Sequence, residues 1–324
     1  MIKKLLVAAA IVVALAAGAV IVAMQPYRGF TASVILEFPK GTSSSAMAKK
    51  LTEAGVVRHP LLFTLARAMR PSAKLQAGEY EFSKAASPSE IVDRLARGDV
   101  HYYELSIREG SNLFDIATAV DGLGFLKGAD FLAAAKNPAS IKDLSSKAPS
   151  LEGFLFPAVY RVTRSTTIDQ LIRMMTDQFR KEWKIALKGA AAPADALEIV
   201  TLASLVEKES GVPAERALVA SVYRNRLDKK IKLDCDPTTI YTAMLEGRWR
   251  GTIYKSDLAS TNPYNTYQNS GLPPGPIANP SLASLQAVAQ PAQTNYLYYR
   301  ALCDGSGRHA FAVTYEEHLA NACS

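Results

Sequence analysis

The first third of the chain alternates between segments with a strand period and segments with a helix period. Residues 31–40 carry β-branched and aromatic side chains and end at a proline and a glycine, which predicts a β-strand. Ser87 and Glu90 form a capping box ahead of a helix that Gly98 stops. The same patterns predict helices over 43–55, 60–70 and 87–97, and further strands over 75–82 and 100–107. Together these elements predict a compact α+β unit over residues 31–107.

The rest of the chain is dominated by one apolar helical segment. Residues 195–210 are apolar nearly all round the helix, so we expect this helix to be central and buried. Residues 214–228 predict a second helix. Within 296–314, two runs in which apolar and polar residues alternate flank Asp-Gly-Ser-Gly, which predicts a β-hairpin. Residues 260–280 are too rich in Asn, Pro, Tyr and Gly for a helix or a central strand. The expected fold class is α+β, with a mixed α+β second domain built round the buried helix.

An uncharged apolar stretch stands near the start of the chain. Residues 5–24 are about 20 residues long, enough to span ~30 Å of hydrocarbon as a helix. Lys3 and Lys4 precede it, and a positive flank stays in the cytoplasm, so the chain from Gln25 onward is expected outside. A cleaved signal peptide is the alternative, but its apolar core is usually about 7–15 residues long. We expect a cytoplasmic tail at 1–4, a transmembrane helix at 5–24 and a linker at 25–30.

Composition narrows the classes of function. Hydrophobic residues make up 48% and charged residues 21% of the chain, a balance that lets most of it bury a core. The net charge is +7, but no basic-aromatic block indicates nucleic-acid binding. Cys235, Cys303 and Cys323 form no CxxC pair and have no His at ligand spacing, so no metal or cofactor is expected. In an oxidising compartment Cys303 and Cys323 can pair, which leaves Cys235 free.

Two carboxylates stand near the end of the 195–210 helix. Burying a charge is costly, so Glu207 and Glu209 are unusual there, and helical spacing puts them about 200° apart. An apolar site and the negative end of a helix dipole both raise a glutamate pKa, as the acid of a glycosidase requires. The alternative is a salt bridge from either glutamate to Arg216 or Arg224 of the next helix. Periodicity does not choose between the two glutamates.

Three further features have the chemistry to contact a sugar. Asp236 can cap a helix that holds Tyr241, and capping alone would explain it. His309 begins the second strand of the hairpin, where a structural hydrogen bond is the simpler interpretation. The Asn amides and Tyr rings of 260–280 complement the hydroxyl edges and C–H faces of sugar rings. The alternative for this segment is a surface loop with no ligand.

Taken together and in order, the motifs resemble the MltG/YceG-like family of endolytic murein transglycosylases. They are EGFLFP at 152–157, ASLVEKES at 203–210, RNRL at 224–227, DPTTIY at 236–241, NPYNTY at 262–267, GLPPGPIANP at 271–280, PA-x-T-x-YLY at 291–298 and H-x-F at 309–311. In this family a small LysM-like wall-binding module stands next to the catalytic domain. The resemblance therefore implies a LysM-like module at 31–107 and a YceG-like catalytic domain at 108–324.

The resemblance also implies residue roles. The second glutamate of the E-K-E-[ST] motif is catalytic in the family, which here is Glu209, and Ser210 follows it. Substrate-binding roles are implied for Glu152, Ser210, Asp236, Thr238, Tyr241, Asn265, Tyr267, Gly271, Pro274 and His309.

Three motifs depart from the family pattern. Ala158-Val159-Tyr160 stands where Asp-Thr-Tyr is usual, and Glu317-His318-Leu319 stands where Glu-His-Asn is frequent. Cys235 stands where Thr is more typical. The central E-K-E-S motif is intact, so these departures do not indicate a loss of activity.

The implied activity is endolytic cleavage of the MurNAc-GlcNAc bond of nascent peptidoglycan, which leaves a 1,6-anhydroMurNAc end and terminates strand elongation. One glutamate that acts as acid and then as base needs no second carboxylate at hydrolase spacing. The alternatives are a hydrolytic muramidase that uses Asp236 as its second carboxylate, and a non-catalytic wall-binding scaffold. The expected surroundings are the outer face of the bacterial cytoplasmic (inner) membrane, peptidoglycan strands, and glycan polymerases such as penicillin-binding proteins.

Overall fold

The structure is a computed structural model that describes residues 11, 14, 18, 21–190, 193 and 195–322. It is a mixed α+β protein with small two-stranded sheets and many helices, which confirms the predicted class. The predicted transmembrane segment, 5–24, lies largely outside the described residues. Among the residues that are described, no helix is both long enough and apolar enough to cross a membrane.

The chain divides into two compact units. The smaller unit comprises residues 1–103 and 161–165, and the larger comprises 104–160 and 166–324. The chain passes from one unit to the other within the strands β3 (Tyr103–Ser106) and β4 (Val159–Val162). The division falls within β3, with a short return of the chain at 161–165, and the domain bounds expected from the sequence stay a prediction.

The smaller unit is an antiparallel strand pair covered by three helices. Its elements are β1 (Val34–Phe38), α1 (Ser44–Glu53), α2 (Pro60–Ala68), β2 (Gly78–Phe82) and α3 (Pro88–Arg97). In the register of β1 and β2, Val34 lies opposite Phe82 and Phe38 lies opposite Gly78. Phe38, Phe63 and Tyr80 are fully buried in its core.

Local sequence signals set the ends of these helices. Ser87 and Glu90 form the predicted capping box at the start of α3. Gly98 ends α3 with φ of 74°, a left-handed conformation that costs glycine little. Ser43 caps α1 by accepting a hydrogen bond from the Ala46 N–H. These elements were predictable because each cap depends on residues within one turn.

The larger unit is mostly helical. Its elements are α4 (Leu113–Asp121), α5 (Gly128–Ala135), α6 (Ile168–Ala186), α7 (Leu197–Glu209), α8 (Arg216–Asp228), α9 (Asp236–Leu245), α10 (Lys255–Leu258), α11 (Leu282–Ala289), β5 (Tyr298–Ala301), β6 (His309–Ala312) and α12 (Tyr315–Ala320). Short 3-10 helices occupy Pro138–Ile141 and Pro213–Glu215. The strands β5 and β6 pair antiparallel, as the hairpin prediction required.

Helix α7 lies at the centre of this unit. Every residue from Val200 to Val206 is buried, and the helix packs against α8, α9 and α11. Burial on all sides is what its apolar circumference predicted. Residues 260–281 contain no helix or strand, which confirms the predicted loop.

One buried carboxyl joins three parts of the larger unit. Glu152 is only 1% exposed. Its Oε2 accepts hydrogen bonds from the Leu113 N–H at 2.9 Å and the Tyr241 hydroxyl at 3.0 Å. Its Oε1 accepts from the Asn279 Nδ2 at 3.1 Å. Glu152 therefore holds the start of α4, the middle of α9 and the end of the long loop together.

Burial decides the protonation state of this carboxyl. It raises the pKa of Glu152 from 4.5 to about 8, although the hydrogen bonds from Leu113 and Tyr241 act in the opposite direction. Because the folded pKa exceeds the unfolded one, the stability linked to Glu152 is fully present below about pH 4.5 and is lost as the pH rises through about 8.

We expect Glu152→Gln, which stays neutral, to remove this part of the pH dependence of stability. In wild type, each pH unit inside the window lowers the free energy of unfolding by at most about 1.4 kcal/mol through this group. Urea unfolding across the window measures the slope. Glu198→Gln is the control, since that glutamate is largely exposed. Equal slopes in wild type and Glu152→Gln would contradict the assignment.

Candidate active site

The end of α7 places two glutamates on its last turn. At the start of the helix the N-cap residue is Ala196, which makes no side-chain capping bond, and the Leu197 N–H donates to Asp195 Oδ1 at 2.9 Å. At the other end Ser210 leaves the helix in an extended conformation and is buried. Its hydroxyl donates to the Val212 carbonyl at 2.9 Å. Ser210 therefore fixes the turn that ends the helix directly after Glu209.

Glu207 is held in place by partners within the fold. Its Oε2 accepts from the Ser281 N–H at 2.9 Å and from the Ser281 hydroxyl at 2.5 Å. The Arg216 guanidinium lies 3.8 Å from its Oε1. The salt-bridge alternative therefore applies to Glu207, while Arg224 pairs with Glu198.

Glu209 is different, because in the described part of the chain no lysine or arginine forms an ion pair with it. Its side chain lines a cavity of about 310 Å³. The other lining residues are Val222, Tyr223, Arg226, Leu233, Asp234, Asp236, Tyr267, Leu297, Tyr298, Tyr299, Tyr315 and His318. The lining thus combines aromatic rings with a few charged groups, a composition that suits a sugar ring.

The arginine that lines this cavity, Arg226, contacts residues other than Glu209. The Arg226 Nη1 donates to the Leu233 carbonyl at 2.8 Å and lies 3.3 Å from Asp234 Oδ2. Its guanidinium also lies over the Tyr298 ring, 5.3 Å from the centroid. Arg226 therefore neutralises Asp234 and leaves the Glu209 carboxyl unpaired.

Neutral donors surround the Glu209 carboxyl. The Cys235 thiol donates to Glu209 Oε1 at 3.3 Å, and the Tyr299 hydroxyl also forms a hydrogen bond with Glu209. The hydroxyls of Tyr299 and Tyr223 lie 2.9 Å apart. Burial raises the pKa of Cys235, Tyr223 and Tyr299 well above their ordinary values, so all three stay protonated.

Burial is also the largest influence on the pKa of Glu209, which it raises. Hydrogen bonds from Cys235 and Tyr299 lower this pKa, the negative charge of Asp236 raises it, and His309 lowers it. The net direction is upward, so Glu209 keeps its proton to a higher pH than an exposed glutamate. A carboxyl of this kind is suited to act as a general acid.

The structure corrects the interpretation of Asp236 as a helix cap. The N-cap of α9 is Cys235, which makes no side-chain capping bond, and Asp236 is the first residue of the helix. The Asp236 Oδ1 accepts from the Tyr267 hydroxyl at 2.6 Å, and both side chains line the cavity. Asp236 and Tyr267 thus lie in the cavity with Glu209.

His309 makes the structural hydrogen bond that its strand position suggested. Its Nδ1 lies 2.7 Å from Glu215 Oε2, and its backbone N–H donates to Glu215 Oε1 at 3.0 Å. The imidazole contacts the Tyr299 ring edge-on, with centroids 5.4 Å apart. His309 therefore supports Tyr299, which in turn contacts Glu209.

Several predicted site residues form the framework behind the cavity. Thr238 and Asn265 are fully buried. The Thr238 hydroxyl donates to the Cys235 carbonyl at 2.6 Å, and Asn265 Nδ2 donates to the Ser260 carbonyl at 2.8 Å. These bonds hold the start of α9 and the long loop in position.

Eight of the ten predicted substrate-binding residues are absent from the described lining of this cavity: Thr238, Asn265 and His309, and also Glu152, Tyr241, Ser210, Gly271 and Pro274. Glu152 and Tyr241 are buried against each other, and the Ser210 hydroxyl is bonded to the backbone. Gly271 turns the loop with φ of 88°, and Pro274 is exposed. Their predicted contact with substrate stays a prediction.

Sequence reasoning missed the residues that contact Glu209 most closely. Tyr223 and Tyr299 stand at ordinary apolar positions of α8 and β5, with no local pattern that separates them from core tyrosines. Cys235 was noted only as a cysteine left free and as a departure from the family pattern, with no contact to Glu209 predicted. Its position directly before Asp236 was the one available signal.

The two cysteines that the structure describes differ in redox state. Cys303 is disulfide-bonded and Cys235 is a buried free thiol. Cys323, the partner predicted for Cys303, lies outside the described residues.

Known proteins are similar in sequence to this chain over most of its length. The chain matches the YceG-like family over residues 36–324. A Bacillus subtilis protein named endolytic murein transglycosylase is 31% identical over 88% of this chain and 83% of its own length. A Streptococcus pneumoniae protein of the same name is 30% identical over 89% of this chain but only 57% of its own length.

A solved structure shares the fold. It is a 2.6 Å crystal structure of a yceG-like protein from Listeria monocytogenes, 30% identical, with a TM-score of 0.59. The match covers 90% of this chain and 99% of that one. The class defined by the fold and site is an α+β protein with a protonatable carboxyl at an aromatic cavity. The chain belongs to the YceG-like family, as its motifs predicted.

We expect Cys235→Ala to raise the pKa of Glu209 further, because it removes a weak donor to the carboxylate. Cys235→Ser supplies a hydroxyl, a stronger donor than a thiol, and should lower this pKa wherever the shorter side chain still reaches Oε1. NMR titration of glutamate side-chain carbons, assigned through Glu209→Gln, measures both shifts. An unchanged Glu209 pKa in both variants would exclude Cys235 from the network.

Proposed function

We propose that this chain is a lytic transglycosylase that cleaves the glycan strands of peptidoglycan. Family membership and the names of the curated relatives support this reaction. The observation that carries it is the Glu209 carboxyl, which lines the cavity with a raised pKa and without an ion pair to lysine or arginine among the described residues.

The first step is proton transfer from Glu209. The carboxyl donates its proton to the oxygen between N-acetylmuramic acid and N-acetylglucosamine, and the bond from the anomeric carbon to that oxygen breaks. Positive charge then develops at the anomeric carbon. Asp236 lines the same cavity, and its negative charge favours this state. The leaving sugar departs with the proton as its new hydroxyl.

The second step uses the same side chain as a base. The Glu209 carboxylate takes the proton of the 6-hydroxyl of the muramic residue, and that oxygen bonds to the anomeric carbon. The product has a 1,6-anhydro end, and no water is consumed. The Cys235 thiol and the Tyr299 hydroxyl stabilise the carboxylate between the two steps, because each donates to it.

A hydrolytic muramidase is the second candidate, because Asp236 lines the cavity beside Glu209. In that mechanism Asp236 would activate a water or attack the anomeric carbon. The hydrogen bond from Tyr267 occupies Asp236 Oδ1 and leaves its other oxygen available. The chemistry of the product distinguishes the two reactions.

The wider setting is also part of the proposal. A transmembrane helix at 5–24 would hold the catalytic unit on the outer face of the cytoplasmic membrane, close to newly made strands. The module predicted over 31–107, most of which lies in the smaller unit, would act as a LysM-like wall-binding module. Nascent glycan and a neighbouring glycan polymerase are the partners that fit this location.

We expect Glu209→Gln to lower the rate of glycan cleavage by about 10²–10⁴-fold, because the amide cannot donate a proton to the bridging oxygen. Glu198→Gln is the matched control, since it changes an exposed glutamate of the same helix. Digestion of purified glycan strands, followed by chromatography, measures both rates. Cleavage by Glu209→Gln at the wild-type rate would remove Glu209 from the mechanism.

We expect the wild-type products to carry 1,6-anhydroMurNAc ends, each one water lighter than a hydrolysed end. Mass spectrometry of the digest, run in ¹⁸O-labelled water, measures both the mass and any uptake of solvent oxygen. Incorporation of ¹⁸O at the new ends would instead establish the muramidase. A wild-type chain that releases no product would favour a non-catalytic scaffold.

A further inference from the structure

The smaller unit has an apolar face that its own core does not use. In α2, Phe63 and Ala66 are buried, while Leu61, Leu65 and Met69 are 68%, 41% and 65% exposed. The three exposed residues are spaced at i, i+4 and i+8, so they form one stripe along the helix and its C-cap. Three large exposed apolar side chains in line are uncommon on a protein surface that faces only water.

This stripe borders an apolar groove of about 710 Å³. Leu61, Leu62, Leu65 and Ala68 line one side of the groove, and Ala23 also lines it. Ala23 and Met24 are the last residues of the uncharged stretch 5–24, and Met24 packs against the core of this unit. The groove is therefore located where the apolar N-terminal stretch meets the folded unit.

The chain segment that carries the stripe has charged residues of one sign only. Between residues 54 and 78 the chain holds Arg58, Arg67, Arg70 and Lys74, and it holds no aspartate or glutamate. Arg70 pairs with Asp93, while the other three form no ion pair within the described residues. Apolar residues flanked by basic ones are the composition of a helix that lies on an anionic membrane.

We propose that α2 lies on the lipid surface of the membrane. Leu61, Leu65 and Met69 would enter the boundary between headgroups and acyl chains, and the basic residues would contact anionic headgroups. The proposal rests on the anchor included in the proposed function and not on its chemistry. A second copy of this chain fits the face less well, because two identical basic surfaces repel each other.

The consequence is a fixed orientation of the smaller unit. An anchor alone leaves a folded unit free to rotate about the point where the chain leaves the bilayer. A second attachment one helix away removes most of that freedom. With both attachments, this unit presents a constant side to the wall polymer.

The test uses the full chain with a single bimane label at Leu65→Cys. Lys49→Cys is the matched control, because Lys49 is exposed on α1, outside the stripe and the groove. The parent chain, treated in the same way, gives the labelling background, and its Cys235 is buried. Each labelled protein is reconstituted into phosphatidylcholine vesicles with and without phosphatidylglycerol, and part of the lipid carries bromine on its acyl chains as a quencher.

We expect the label at 65 to lose about half of its fluorescence in brominated vesicles that contain phosphatidylglycerol, since bound helices of this kind lie about 5–10 Å below the headgroups. The label at 49 should lose little, and the loss at 65 should be smaller without phosphatidylglycerol. Vesicle flotation of the same samples reports the anchor separately.

A chain that floats with vesicles but shows no quenching at 65, or equal quenching at 65 and 49, would overturn the proposal and leave the anchor intact. Coverage of the stripe by a second copy or by the chain's own N-terminal segment would give that result, because neither carries bromine. A chain that fails to float would overturn the anchor as well, and the glycan cleavage assays would still stand.

Discussion

The site depends on one electrostatic constraint: within the described residues, no lysine or arginine forms an ion pair with the Glu209 carboxyl at the end of a buried helix. Burial therefore raises the pKa of Glu209, and the nearest groups, Cys235 and Tyr299, are themselves neutral donors. Glu207, two residues earlier, shows the contrast, because Ser281 and Arg216 stabilise its charge. One helix thus carries, on different faces, a glutamate held by a serine and an arginine and a second glutamate whose pKa is raised.

The rest of the larger unit keeps this environment intact. Arg226 lines the cavity, but it forms its ion pair with Asp234 and not with Glu209. It therefore does not stabilise the charged form of the Glu209 carboxyl. Glu215 fixes His309, and His309 packs on the ring of Tyr299. Glu152 also holds parts of this unit in position. Its buried carboxyl accepts hydrogen bonds from α4, α9 and the long loop. A buried polar group costs less stability when it is hydrogen-bonded, as the Glu152 carboxyl is.

Much of this was predictable from the sequence, and the failures have a common cause. The capping box of Ser87 and Glu90, the apolar circumference of α7 and the irregular loop all follow from neighbours within a few residues. The choice between Glu207 and Glu209 could not follow from periodicity, since Ser281, more than 70 residues away, decides it. Asp236 was taken for a cap because its local sequence fits one. Its actual partner, Tyr267, is brought near by the loop.

The protonation state of Glu209 can be observed without substrate, by infrared spectroscopy of carboxyl groups near neutral pH. A protonated-carboxyl band is expected in wild type, and it should lose one component in Glu209→Gln, while the component from Glu152 remains in both proteins. Identical bands in the two proteins would mean that Glu209 is already ionised in the resting protein, which would contradict its role as the acid.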